Sequence, residues 1–113
     1  MPNRAAYNLT DDERKLLWRG LREWGGPASP TEAMAVAMGF RDVSDLLTEG
    51  SRIMADISER HPMPRADWRR ALLATEIVFA SDVVGAGVEW FTVTGMQDEE
   101  TIRMLRSIQR KLV

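Results

Sequence analysis

The longest low-charge run in the chain is residues 71–93, ALLATEIVFASDVVGAGVEWFTV, and any fold has to cover it. The run is long enough to span a bilayer. Glu76, Asp82 and Glu89 are spread along it, however, and carboxylates in hydrocarbon are costly. A helix buried by protein is the better reading. The spacing predicts one long central helix over about 65–93, starting near Pro64 or Arg65. On a helical wheel Trp68, Leu72, Phe79, Val83, Ala86 and Trp90 gather on one face. Leu73, Ile77, Val84, Val88 and Phe91 gather on a second. A helix apolar on two faces is buried on two faces. Either the rest of the chain covers both, or the second face meets its own copy, because two-fold dimers are the commonest assembly. Leu73, Ile77, Val84, Val88 and Phe91 are therefore the expected self-association residues.

A third stripe, Ala74, Ser81, Gly85 and Thr92, holds small residues throughout. Glycine costs about 1 kcal/mol relative to alanine inside a helix. Close helix packing along this stripe is the expectation, with a kink or break near Gly85 and Gly87 as the alternative.

The acids are the candidate polar site. A buried, unpaired carboxylate costs several kcal/mol, so Glu76, Asp82 and Glu89 need water, an arginine or a donor. The structural reading pairs them with Arg52, Arg103 or Arg106 at helix seams. The functional reading gathers them around a small ligand or a metal. Di-metal bundles use Glu-x-x-His pairs, and this chain has none. Its one histidine, His61, lies in the proline-bounded segment HPMP with no carboxylate at helical spacing. No metal ligand set and no cofactor is predicted. The serines sit in no Gly-x-Ser-x-Gly elbow and no Ser-x-x-Lys pair. VGAGVEW lacks the third glycine and the preceding strand of a nucleotide fingerprint. No catalytic residue is predicted.

Elsewhere the punctuation is helical. Thr10 and Glu13 form a capping box, and Gly25 and Gly26 stop the helix that follows. Ser29, Pro30 and Glu32 open a short helix over about 30–38, which Gly39 ends in a left-handed cap, with Phe40 folding back. Val43, Leu46, Leu47, Gly50, Ile53, Met54 and Ile57 form one apolar stripe over about 43–59, capped by Asp42 or Ser44. The last helix carries Ile102, Leu105, Ile108 and Leu112, with acids at its start and bases toward its end. The inference is an all-α fold, a compact bundle of about five helices. Residues 1–8 are expected as a flexible N-terminal tail and 9–113 as a single helical domain.

Composition narrows the function. The 113 residues amount to one domain. With no cysteine, disulfides, thiolate zinc sites and thiol catalysis are excluded, and a reducing cytoplasm is the natural home. MPNRAAYN has no apolar signal core. A net charge of -2 gives no electrostatic reason to expect nucleic acid or an anionic membrane as partner. Arg103, Arg106 and Arg110, extended by Lys111, form a basic edge that complements the last helix's dipole.

The segment TEAMAVAMGFRDVSDLL resembles a helix-turn-helix. Ala35, Gly39 and Phe40 match its first helix and turn, and Met34 and Met38 fill its apolar positions. That resemblance implies DNA binding through helices near 30–38 and 43–59. The second half departs from the pattern, with Asp45 and Thr48 at its usual apolar sites. Asp42, Asp45 and Glu49 would face phosphates, and their repulsion opposes the backbone attraction on which DNA affinity chiefly rests. The Met38-Gly39-Phe40 triplet is also similar to the loop by which ubiquitin-associated domains grip ubiquitin, although the following helix lacks their alanine-leucine pattern.

The leading expectation is a small, non-catalytic, cytoplasmic protein that works through protein contacts and self-associates as a homodimer. A helix-turn-helix regulator is the alternative. A small-ligand or metal binder using the central acids is the third.

Overall fold

The first helix begins at Thr10 because its hydroxyl accepts from the Glu13 backbone N–H at 3.1 Å, while the Glu13 carboxylate accepts the Thr10 N–H at 2.8 Å. This capping box opens α1, Asp11–Glu23. The computed structural model describes residues 4–5, 7–26, 28–81 and 83–112. Leu16, Leu17, Gly20 and Leu21 form the buried face of α1, and Trp24 closes it.

The second helix, α2, spans Glu32–Ala37. Its cap is Thr31, whose hydroxyl accepts from the Met34 N–H at 3.1 Å. The expected cap, Ser29, instead donates its N–H to the Val84 carbonyl at 2.9 Å. Glu32 likewise turns away from a capping box and accepts the Val43 N–H at 3.1 Å. Gly39 takes φ 99° after α2, and Phe40 returns its N–H to the Ala35 carbonyl at 2.9 Å with its ring buried.

Asp42 opens α3, Val43–Ser58, by accepting the Asp45 N–H at 2.7 Å. Leu46, Gly50, Ile53 and Ile57 are its buried line. The chain then forms a two-residue antiparallel bridge. Arg4–Ala5 (β1) pairs with Met63–Pro64 (β2), Arg4 opposite Pro64 and Ala5 opposite Met63. Part of the expected tail is thus paired with the body, and Tyr7 sets its ring edge-on to Trp68 at 5.9 Å.

The expected helix over 65–93 is two pieces. α4 spans Arg65–Ala80. Ser81 is extended, at φ -92° and ψ 125°, and a 3-10 turn at Gly87–Glu89 leads into α5, Trp90–Thr94. Several local choices favour the break. The Ser81 hydroxyl accepts the N–H groups of Val83 and Val84, both at 3.2 Å, so it caps a turn instead of continuing a helix. β-Branched Val83 and Val84 beside Gly85 and Gly87 make weak helix formers. Gly87 takes φ 33°. The Ala86 N–H reaches back to the Val78 carbonyl at 2.7 Å, and the Ser29 N–H takes the Val84 carbonyl. The fold-back seats Trp90 edge-on against Phe79, with ring centroids 5.5 Å apart, and its indole N–H donates to the Thr101 hydroxyl at 2.9 Å.

α6, Asp98–Leu112, buries Thr101, Leu105, Ile108 and Leu112. At the centre of the bundle α1 lies along α4, with α3 and α6 also packed against both. The Trp24 indole bridges the first two by donating to the Ala74 carbonyl at 3.0 Å. The fold is all-α, a compact bundle with six α-helices among the described residues. Among those residues no helix is long and apolar enough to cross a membrane.

Candidate functional site

The break after Ala80 redistributes the residues read as one helix. The buried line of α4 is Trp68, Ala71, Ala74, Thr75 and Val78. Of the expected core face, Trp68, Ala86 and Trp90 are buried, Leu72 and Phe79 half-buried, and Val83 is 89% exposed. Leu73, Ile77, Val84, Val88 and Phe91 do not share a helix face, because Leu73 and Ile77 lie on α4 and the others follow the break. Leu73 is partly exposed beside Arg69 and Gln109, while Ile77 and Val84 are half-buried. Val88 and Phe91 are 85% and 51% exposed.

The small-residue stripe also divides. Ala74 is buried, Ser81 half-buried and Thr92 exposed. A Cβ on Gly85 would lie 2.6 Å from the Val78 carbonyl oxygen and 2.7 Å from Val78 Cα. The close approach at Gly85 is therefore made by the end of α4, onto which the chain folds back.

Of the candidate acids, Glu76 and Glu89 lie on separate elements, α4 and the 3-10 turn. Glu76 accepts from the Gln109 amide at 2.5 Å, and Gln109 in turn accepts from Arg106 at 2.9 Å. Arg106 reaches Glu76 through Gln109 and not directly. Glu89 is exposed on the 3-10 turn. Asp82 lies outside the described residues. Among the described residues no group of three or more histidine, aspartate or glutamate side chains is placed to hold a metal ion.

Arg52, expected at a seam, is there with different partners. It donates to Asp67 at 2.9 Å, Asp56 at 3.1 Å and Glu49 at 3.1 Å. Asp67 is 4% exposed and also accepts from Arg70 at 2.5 Å. Arg70 stacks over the Phe40 ring at 4.8 Å, so the network fastens α3, α4 and the Gly39 turn together. Its acceptors hold the Arg52 guanidinium well above its ordinary range, chiefly Glu49 and, against the opposing cost of burial, Asp67. His61 sits at the rim, 3.2 Å from Asp56.

Two surface features remain. The first is apolar. Val88 and Phe91 border a shallow depression of about 400 Å³ with Gln97, Asp98 and Glu99. Ile102, 49% exposed, follows Asp98 by four positions and so shares its face of α6. Arg106 and Arg110 continue that stripe, both exposed. One line along α6 thus reads acid, apolar, base, base.

The second is a basic cavity of about 300 Å³ between α1 and the end of α3. Arg14, Lys15 and Arg60 supply three cations, Trp18 and Ile57 an apolar wall. No motif marks it in the sequence, because its residues come from two segments, 11–18 and 57–60, that only the fold brings together.

The helix-turn-helix segment has little to offer DNA. Asp45 and Glu49 are held by Arg41 and Arg52, and the exposed face of α3 carries Ser44, Leu47, Thr48, Ser51 and Ala55. Met38 and Phe40 are buried, so the Met-Gly-Phe turn presents no apolar grip. A comparison with protein-family models, curated proteins and solved structures finds no match to this chain.

Proposed function

We infer that the chain is a small non-catalytic protein that acts through protein contacts and pairs with its own copy. The observation that carries the reading is the α6 stripe. Asp98, Ile102, Arg106 and Arg110 lie at four-residue steps on an exposed face, beside exposed Val88 and Phe91. Run antiparallel against itself about a two-fold axis, this face is self-complementary. Ile102 meets Ile102 of the partner, and each Asp98 faces an arginine across the axis. Isologous contacts require such a self-matching surface. Exposed apolar side chains rimmed by charge are how interaction surfaces ordinarily look. The absence of cysteine and of any membrane-crossing helix among the described residues fits work in the cytoplasm.

Sedimentation of the parent and four variants tests the reading. The parent is expected to sediment as a dimer at micromolar concentration. Ile102→Asp and Phe91→Asp should yield the 12.8 kDa species with the fold retained, since both side chains are half exposed. Asp98→Arg alone should weaken the dimer, and adding Arg106→Asp should restore it. A parent that sediments only as the monomer overturns the reading, and so does a dimer indifferent to all four changes.

DNA binding through α2 and α3 has less support, because the acids there are retained and the arginines nearby are paired. A ligand or metal site on the central acids has the least, given where Glu76 and Glu89 lie.

A further inference from the structure

We propose that the cavity between α1 and the end of α3 is a binding site for a small organic anion, a phosphate or carboxylate carried on an apolar or planar body. Three independent features meet there.

The first is uncompensated charge. Arg14, Lys15 and Arg60 line the cavity against a single acid, Asp11, which is paired with Arg60. Arg14 is half-buried, and among the described residues its Nε and Nη1 meet no acceptor. Its guanidinium rests on the Trp68 ring at 5.5 Å, which offers attraction but accepts no hydrogen bond. Burial, and then the nearby charge of Arg60, push Arg14 below its ordinary range. In a chain of net charge -2, a concavity with three cations and one acid is a local reversal of sign.

The second is the backbone of Arg60. It adopts φ 58°, the left-handed conformation that side chains with a Cβ avoid. It ends α3 as the residue after the Glu59 cap, with its N–H on the Ile57 carbonyl at 3.2 Å and the His61 N–H on the Asp56 carbonyl at 2.9 Å. Glycine is the residue for this position. The chain uses glycine at its other left-handed helix ends, Gly39 after α2 and Gly95 after α5. At the end of α3 it keeps an arginine whose side chain lines the cavity. Strain held at a residue that faces a concavity is the pattern of a functional position.

The third is the wall. Trp18 and Ile57 give the cavity an apolar side, and Ser58 adds a hydroxyl. Its volume of about 300 Å³ is at the small end of ligand pockets, suited to a single ring bearing one anionic group. Bare phosphate leaves that wall unused.

The probes are phenyl phosphate, inorganic phosphate and phenol, titrated calorimetrically into the full chain, with the Trp18 indole N–H followed by nuclear magnetic resonance. Phenyl phosphate is expected to bind, to shift the Trp18 signal, and to weaken as salt rises. Arg60→Gly is the decisive variant. It relieves the left-handed strain and loses an exposed ion pair of little worth, so its Tm should hold or rise by a few degrees while affinity falls about tenfold, as loss of a charge-assisted contact predicts. Lys15→Gln, at an exposed position, should weaken binding with an unchanged Tm. Failure of phenyl phosphate to bind at millimolar concentration overturns the proposal. So does equal affinity in Arg60→Gly, or a fall in its Tm with binding retained. Inorganic phosphate or phenol bound as tightly as phenyl phosphate would overturn the assignment of an organic anion.

Discussion

Gly20 of α1 and Thr75 of α4 meet with no room for a side chain at position 20: a Cβ there would lie 2.1 Å from Thr75 Oγ1 and 2.8 Å from Thr75 Cα. Thr75 is fully buried, and its hydroxyl is committed to the Ala71 carbonyl at 2.8 Å. Neither side can yield by turning a rotamer. The crossing of the two central helices is set at this point. In an open helix Gly20→Ala would stabilise by up to about 1 kcal/mol. Here overpacking decides the sign, and the substitution should cost about 1–3 kcal/mol by urea denaturation. Thr75→Ala should recover part of that loss, giving a measurable coupling in a double-mutant cycle. A stabilised Gly20→Ala would show that the helices separate freely.

Gly85→Ala should also destabilise, by about 1–3 kcal/mol, for a different reason. The obstacle is backbone, the carbonyl and Cα of Val78, where the chain doubles back to bond Ala86 to Val78. The loss should appear as earlier exposure of Trp90, which that fold-back seats. A melting temperature unchanged from the parent, with Trp90 fluorescence also unchanged, would place Gly85 in open space.

How much of this was legible in the sequence depends on the range of the forces involved. The Thr10–Glu13 box, the Gly39 cap and the α3 stripe are local, and each is where the residues put it, apart from Leu47, which faces outward. The break at Ser81 is local only in part: the Ser81 hydroxyl and the glycines at 85 and 87 permit it, but contacts from elsewhere in the chain decide it. Residues 71–80 and 83–93 keep one helical rhythm, and what defeats it is Ser29 holding Val84, Val78 holding Ala86, and Thr101 receiving the Trp90 indole. The candidate faces built on that rhythm were divided with it. Asp67 and Arg14 were invisible for a related reason. Nothing beside Asp67 marks it as buried, and only the fold brings Arg52 to it. Arg14 reads as an ordinary helix-surface arginine until Arg60 and Trp18 close around the same cavity.

The Asp67 network yields a graded prediction. Asp67→Asn keeps the shape and deprives both Arg52 and Arg70 of a carboxylate. Breaking a fully buried pair costs about 3–5 kcal/mol and an exposed one up to about 1. Arg52 is 40% exposed and Asp67 5% by side chain, so an intermediate loss of about 1–3 kcal/mol is expected. Asp56→Asn, at the rim of the same network, should cost under about 1 kcal/mol. Equal losses in chemical denaturation would mean that burial of Asp67 does not set the energetics.

Glu13 makes the fold sensitive to acid. It is 3% exposed, and Lys111 donates to it at 2.6 Å. Burial alone would raise its pKa. Hydrogen bonds from Lys111, Ser107 and the Thr10 N–H, with the Lys111 charge, outweigh that and lower it from 4.5 to about 2. The folded value lies below the unfolded one, so the folded state holds its charge where the unfolded state has begun to take up protons. The stabilisation is therefore complete above about pH 4.5 and drains away as the pH falls toward 2, on the order of 3 kcal/mol in all. Glu13→Gln tests this cleanly, because glutamine also completes a capping box and only the charge is removed. The variant should be less stable than the parent at pH 7, and the gap should close as both are titrated from pH 5 to pH 2.5. Parallel acid-denaturation curves, with the gap constant across that window, would assign the acid sensitivity to other carboxylates.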